Sequence, residues 1–313
     1  MTQDANALIA AIRSERWAIL PEYMAAIEAL AMRAYDAGAL RDVADDGHGA
    51  RRADFEAVTA MGERLDGARM ATVRDGAAIV PVLGPIFPRA NLVNSSAGGT
   101  SLDGMMRDFR VAQASPDVER IVLLVDSPGG VVSGLSEAAL AIRSSEKPVV
   151  AFVTGIAASA AYWLASQAGE IVMESAASVG SIGVVATISR QVETDMQGRR
   201  ETEIVSSGAP YKRPDPETED GRKALQDAVD AIEAVFVADV AQGRKLRTSV
   251  VRQEFGRGAM VAAAQAVEAG MADRIGTLDS VLREGRRTGP TPTGRTRAFA
   301  SAELETRRRA ARI

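Results

Sequence analysis

Two hydrophobic periods divide this chain. Over 21–38, "PEYMAAIEALAMRAYDAG", apolar residues recur at Tyr23, Ile27, Leu30 and Ala34, with Pro21 in the first turn and Gly38 as a stop. That spacing predicts an amphipathic helix. The following "RDVADDGHGARRADF" is polar and contains glycine, as expected of a linker. From residue 77 the pattern changes to short apolar runs separated by helical segments. "AAIVPVLGPIF" predicts a buried strand, and "LDGMMRDFRVAQASP" a helix opened by Thr100 or Ser101. The uninterrupted run Ile121 to Val125 in "VERIVLLVDSPGG" predicts a strand covered on both faces. "VSGLSEAALAIRSSE" is helical, "KPVVAFVTG" a strand, and a second helix begins near Ser159. "GEIVMESAASVGSIGVV" adds a strand, a turn and a further strand. Strand and helix in alternation are the signature of an α/β domain.

Beyond it, Leu225, Val229, Ile232, Phe236 and Val240 share one face of a helix expected to stop at Gly243. "GAMVAAAQAVEAGMADRIGTLDSVL" is expected to be helical to about Glu268, with Gly270 as its stop, then a short strand and helix. From Arg283 onward no apolar face is sustained and arginines abound, so a mobile tail is expected. The organisation is a helical arm and linker over 1–75, a domain over 76–282 and an Arg-rich tail over 283–313.

Composition narrows the chemistry. With 46% hydrophobic and 25% charged residues, the chain has a globular balance, and its net charge of −4 argues against a general nucleic-acid binder. Asp4, Arg13, Glu15 and Arg16 interrupt the first apolar runs, so neither a signal-peptide core nor a membrane span is expected, and a cytoplasmic location follows. There is no cysteine and one histidine, His48, which lies in the polar linker. A Ser-His-Asp triad or a zinc site therefore has little to draw on, and no cofactor or metal is expected. Any catalytic base should be a lysine or a carboxylate.

Within "TGIAASAAYWLASQAGE" (154–170), Ser159 stands where an apolar run turns helical. Such a serine either caps the helix or serves as a nucleophile at a strand-to-helix junction. Serine-lysine chemistry also needs a desolvated lysine and a pair of backbone N–H groups facing the oxyanion. "DSPGG" (126–130) can offer such N–H groups after a strand, because glycine leaves the backbone bare. Only four of the 37 basic residues are lysines: Lys147, Lys212, Lys223 and Lys245. Lys147 precedes Pro148 at a strand start, and Lys223 and Lys245 lie on or beside an amphipathic helix.

In order, the motifs are strand-DSPGG-helix, strand-Ser159-helix, "SVGSIGV" (178–184) and "SSGAPYKRPDP" (206–216). With the "WAILPEYMAAI" opening, the "VPVLGPIF" strand and the closing "AVEAGMADRIGTLDSV", the chain resembles the S49 serine peptidases of signal-peptide-peptidase-A type. Its resemblance is strongest to the branch encoded by phages and prophages for head maturation. That likeness implies a ClpP/crotonase-like fold of repeated β-β-α units with an N-terminal helical arm. Carried over by position, it makes Ser159 the nucleophile, Lys212 its base and Ser181 the residue that orients the lysine. The N–H groups of Gly130 and Ala160 become the oxyanion donors. Where many members carry glycine this chain has Ala160, a difference that matters only if that residue adopts a positive φ.

The resemblance further implies a homo-oligomer, in which a lysine can approach the serine of a neighbouring protomer. Its protein substrates would be scaffold, portal or coat proteins inside an assembling procapsid in the bacterial cytosol, with neither membrane nor nucleic acid as partner. Two alternatives stay open on the residues alone: a crotonase-like acyl-CoA enzyme of the same fold, and a catalytically idle assembly scaffold. Tyr162 and Trp163 are either pocket-lining or core residues, core packing being the expected role.

Overall fold

The computed structural model describes residues 17–19, 28, 62–89, 99–188 and 204–284. The helix expected over 21–38, the linker with His48 and the tail beyond residue 284 lie outside these residues, apart from the helical Glu28. Strands β1 (Trp17–Ile19), β2 (Glu63–Arg64), β3 (Thr72–Arg74), β4 (Ala77–Leu83), β5 (Ile86–Phe87) and β6 (Thr100–Ser101) come first in chain order. Helix α1 (Leu102–Ala114) leads to β7 (Arg120–Ser127) and β8 (Gly129–Val131), and α2 (Leu135–Arg143) to β9 (Val149–Ala158). Next are α3 (Ala160–Ala165), β10 (Glu170–Met173) and β11 (Ser178–Gly180). The remainder is α4 (Glu219–Arg244), α5 (Thr248–Glu254), β12 (Met260–Ala262), α6 (Ala263–Ala269), β13 (Arg274–Ile275) and α7 (Leu278–Glu284).

The larger sheet runs β12-β11-β9-β7-β4-β3-β2, parallel from β11 through β4. Its centre is buried on both faces, as the unbroken apolar run predicts. Ala78, Val80, Ile121, Leu123 and Val125 enter the main core with α1 to α3. Their neighbours in sequence, Ala77, Ile79, Val122 and Leu124, pack on the other face with Val281 and Leu282 of α7. Period-two alternation thus feeds two apolar layers from one strand. The hairpin of β2 and β3 adds antiparallel to β4, so the sheet begins upstream of residue 76. A smaller sheet, β1-β8-β5-β6, lies beside it.

The α/β alternation is observed, and it is consistent with a ClpP/crotonase-like fold. Ser101 caps α1 by accepting from the Gly104 N–H, so of the two serine/threonine candidates the second does it. Three boundaries differ from the sequence expectation: "AAIVPVLGPIF" is divided between β4 and β5, which belong to different sheets, and two helix limits move. Met260–Ala262 pairs antiparallel with β11 instead of joining the helix. Helix α4 runs through Gly243 and ends at Lys245, whose φ of 56° supplies the left-handed cap. Gly243 is there for close packing: a Cβ on it would lie 2.2 Å from the Ser166 carbonyl oxygen. Gly270, by contrast, caps α6 in the left-handed conformation as expected.

Helix α3 is buried at every position. Trp163 stacks on Phe236 of α4 with ring centroids 4.4 Å apart and 6° between planes. The Trp163 Nε1–H donates to Asp239 Oδ2 at 2.9 Å, and the Ser136 hydroxyl donates to the same oxygen at 2.9 Å. Tyr162 donates its hydroxyl to the Met271 carbonyl at 2.9 Å, and burial pushes its pKa up, so it stays neutral. Both aromatics are core residues, and they fix the helix that follows Ser159. Replacing Asp239 strands the buried Trp163 N–H and removes the acceptor of the exposed Ser136 hydroxyl. Asp239→Ala should therefore lower stability by about 1–3 kcal/mol, and Asp239→Asn by less because it keeps an acceptor, as read from urea midpoints.

Candidate active site

Ser159 sits between the last residue of β9 and the first of α3, 1% exposed. Its backbone has φ 53° and ψ −116°, outside the basins open to residues bearing a Cβ. A conformation of this kind costs on the order of 1–3 kcal/mol and persists only when neighbours enforce it. Here the Ser159 N–H donates to the Gly180 carbonyl at 2.7 Å, and its carbonyl accepts the Trp163 N–H at 2.9 Å. The hydroxyl makes no capping bond to the helix. It donates instead to the Gly183 carbonyl at 3.4 Å, a long and weak contact. Of the two roles open to this serine in the sequence, capping is therefore excluded by geometry.

Strand β11 brings Ser181 to the same place. Gly180 pairs with Ala158 across the parallel β9–β11 ladder, so Ser181 follows the carbonyl that holds Ser159. Ser181 itself has φ 53°, and its N–H donates to the Ala259 carbonyl at 3.1 Å. Five non-glycine residues among those described have positive φ, and two of them, Ser159 and Ser181, meet at this junction. Ala160 is not among the five: it opens α3, buried and helical. The positive φ falls on the serine, so alanine in the next position is compatible with the turn. As a first helical residue, Ala160 has an N–H without an intrahelical acceptor.

The glycine turn closes on the serine from the opposite side. Gly129 has φ 102°, and a Cβ on it would lie 3.0 Å from both the Ser159 Cβ and the Ala158 carbonyl oxygen. Gly130, in β8, is paired parallel with Ile86 and antiparallel with Ala18. Two residues that sequence reasoning passed over hold this turn. The Ser127 hydroxyl donates to the Gly84 carbonyl at 2.6 Å and accepts the Gly129 N–H at 3.2 Å. Asp126 Oδ1 accepts the Ile156 N–H at 3.0 Å, where β9 shifts register against β7. Gly155 leaves room for that carboxylate, since a Cβ there would be 2.6 Å from it. Their signal was two polar residues ending an apolar strand immediately before Pro-Gly-Gly.

Lys212 is not beside Ser159 in the described contacts. It ends a short 3-10 turn, Pro210–Lys212, with its side chain exposed and its N–H bonded to the Ala209 carbonyl at 3.0 Å. Among the described residues its ammonium makes no hydrogen bond or ion pair, whereas Lys147 donates to the Ala112 and Ser115 carbonyls and Lys223 pairs with Asp227. The structure thus gathers Ser159, Ala160, Ser181 and the Gly129-Gly130 turn, while Lys212 is exposed and makes no hydrogen bond to any of them among the described residues. Among the described residues no cluster of three His, Cys, Asp or Glu side chains could hold a metal.

Residues 141–288 match the model described as "Peptidase family S49", and residues 93–187 match one described as "Clp protease". The matched stretch, residues 141–288, is an S49 peptidase sequence. Across 217 residues the chain is 32% identical to the capsid assembly protease C of Escherichia phage lambda, covering 66% of this chain and 48% of that protein. It is 30% identical over 215 residues to the head-tail preconnector protein GP5 of Enterobacteria phage P21, covering 66% and 42%. Protease 4 of Salmonella typhi is 37% identical over 97 residues, covering 30% and 15%. The chain therefore spans about half the length of these two phage relatives or less.

Adding a methyl group at the turn tests how tightly it is built. Gly129→Ala combines an unfavourable φ with backbone contacts and should cost about 1–3 kcal/mol in thermal or urea unfolding. Gly183→Ala, with nothing within 4 Å of the added carbon, should stay within about 0.5 kcal/mol of the parent.

Proposed function

We propose that this chain is a serine endopeptidase working through a Ser159–Lys212 dyad, and that it cuts scaffold, portal or coat proteins during phage or prophage capsid maturation. The observation that carries the reading is the backbone of Ser159: strained, buried and wedged between β11 and the glycine turn, with a hydroxyl not used for capping. A helix-capping serine would need none of this.

In the proposed reaction, the neutral Lys212 amine accepts the Ser159 hydroxyl proton while Oγ forms a bond to the scissile carbonyl carbon. The oxyanion is held by the Gly130 and Ala160 N–H groups, each donor contributing roughly 3 kcal/mol. Collapse breaks the C–N bond as the lysine ammonium returns its proton to the leaving amine. Water, deprotonated by the same amine, then attacks the acyl ester; the C–Oγ bond breaks, the lysine ammonium returns the proton to Ser159 Oγ, and the new carboxyl terminus leaves. Ser181, next to the carbonyl that anchors Ser159, would orient the lysine.

An exposed Lys212 fits this chemistry only if another protomer brings it to a serine and removes it from water, which lowers the pKa of a lysine. Tyr211, next to the lysine in sequence, is 64% exposed, apolar surface that a neighbour would cover. We therefore place the dyad across a subunit boundary of a homo-oligomer. The likeness to capsid assembly protease C supports a procapsid setting.

With casein as an unfolded substrate, Ser159→Ala and Lys212→Ala should each reduce turnover by at least about 1,000-fold without loss of folding. If the dyad crosses protomers, mixing and reassembling the two inactive variants one to one should restore about a quarter of the active sites. Cleavage by either variant at the parental rate would refute the dyad. Failure of the mixture to recover activity would refute the intersubunit placement.

A further inference from the structure

The three-residue strand beside Ser159 has no free edge. On one side β8 pairs with β5, through Gly130 and Ile86. On the other it pairs antiparallel with β1, with Trp17 opposite Val131, Ala18 opposite Gly130 and Ile19 opposite Gly129. Adding to such an edge is how an extended peptide gains main-chain hydrogen bonds from a sheet, with alternate side chains filling pockets. Here a segment of the same chain already does so. A Cβ on Gly129 would lie 2.2 Å from the Ala18 carbonyl oxygen and 3.0 Å from the Ser159 Cβ. A peptide carbonyl of β1 and the serine thus both crowd the space that a Gly129 side chain would fill. Ala18 and Ile19 are buried, 1% and 6% exposed, so the segment is seated and not merely adjacent.

Building on the peptidase reading above, we propose that β1 is an internal occupant of the substrate strand: residues 17–19 fill the outer edge of β8 as an extended peptide would, and must leave before a protein substrate can pair there. The device follows from the geometry of the two glycines. Lacking side chains, Gly129 and Gly130 let a strand pass close to Ser159, and whichever strand passes excludes the other. A tethered segment acts at a millimolar effective concentration, so it holds the edge against dilute substrates and yields to a scaffold or coat protein concentrated within a shell. The seated residues also define the preferred substrate: an extended, unfolded segment with a small side chain where Ala18 faces Gly130 and a branched apolar one where Ile19 faces Gly129.

The test reads edge occupancy separately from catalysis. A fluorescent peptide of residues 14–21, SERWAILP, is titrated into the full-length Ser159→Ala protein and into the same protein carrying Ala18→Pro, which removes an N–H from β1 and disfavours its pairing. Binding by anisotropy should be at least about 10-fold tighter in the Ala18→Pro protein, since the competent state is then more populated. Hydrogen exchange at residues 17–19 should accelerate in the parental protein when the peptide is added. With Ser159 intact, Ala18→Pro should raise casein turnover several-fold. Ile19→Asp, which puts a carboxylate where an apolar side chain is buried, should act in the same direction should Ala18→Pro fail to fold.

Equal peptide affinity with and without a released β1, or unchanged exchange at 17–19 on peptide addition, would overturn the proposal. If affinity and exchange respond as expected but neither protein cuts casein, the edge competition stands and the peptidase reading falls.

Discussion

One main-chain hydrogen bond organises the site: the 2.7 Å contact from the Ser159 N–H to the Gly180 carbonyl. It joins the end of β9 to the end of β11 at the point where the chain must also turn into α3. Because β9 is parallel to β7, β10 and β11 alike, its carboxyl end lies at the same edge of the sheet as theirs. The serine is thereby forced into a positive φ, and its side chain is turned away from the helix it precedes. Such strain is maintained by the surrounding core, above all by the wholly buried α3 and its Trp163, Phe236 and Asp239 contacts.

The opposite wall depends on a second set of backbone bonds. Ser127 ties Gly129 to Gly84, while the Asp126 carboxylate accepts an amide from the irregular stretch of β9. These two polar residues do no chemistry in the proposed reaction, yet they set where the glycine N–H groups point. The site is thus built from two loops at neighbouring strand ends, each pinned by side chains or carbonyls that belong to the sheet. Lys212 belongs to neither, and its exposure is what makes assembly part of the proposed mechanism.

Much of this was legible in the residue pattern, for physical reasons that differ by element. The Ile121 to Val125 run announces a strand covered twice, and both apolar layers are observed. Gly270 stops its helix because nothing else explains glycine there, whereas Gly243 misleads: it is required by a close approach of α4 to Ser166, a tertiary contact invisible to local spacing. Residues 260–262 look helical by composition and become a strand because the edge of β11 is available to them. Serine at 159 is ambiguous in sequence, since both capping and catalysis use the same residue at a helix start. Only its φ and its unused hydroxyl separate the two. The pairing of β1 with β8 could not be read at all, since three residues carry no period and their partner lies more than a hundred positions away.

The central claim is that this serine, and no other, is the activated alcohol of the assembled protein. It is tested most directly by treating the native protein with a fluorophosphonate and locating the adduct by peptide mass spectrometry. A single stoichiometric adduct on Ser159, absent when Lys212 is replaced, is the result this account predicts. An unmodified Ser159, or an adduct that forms just as fast without Lys212, would contradict it.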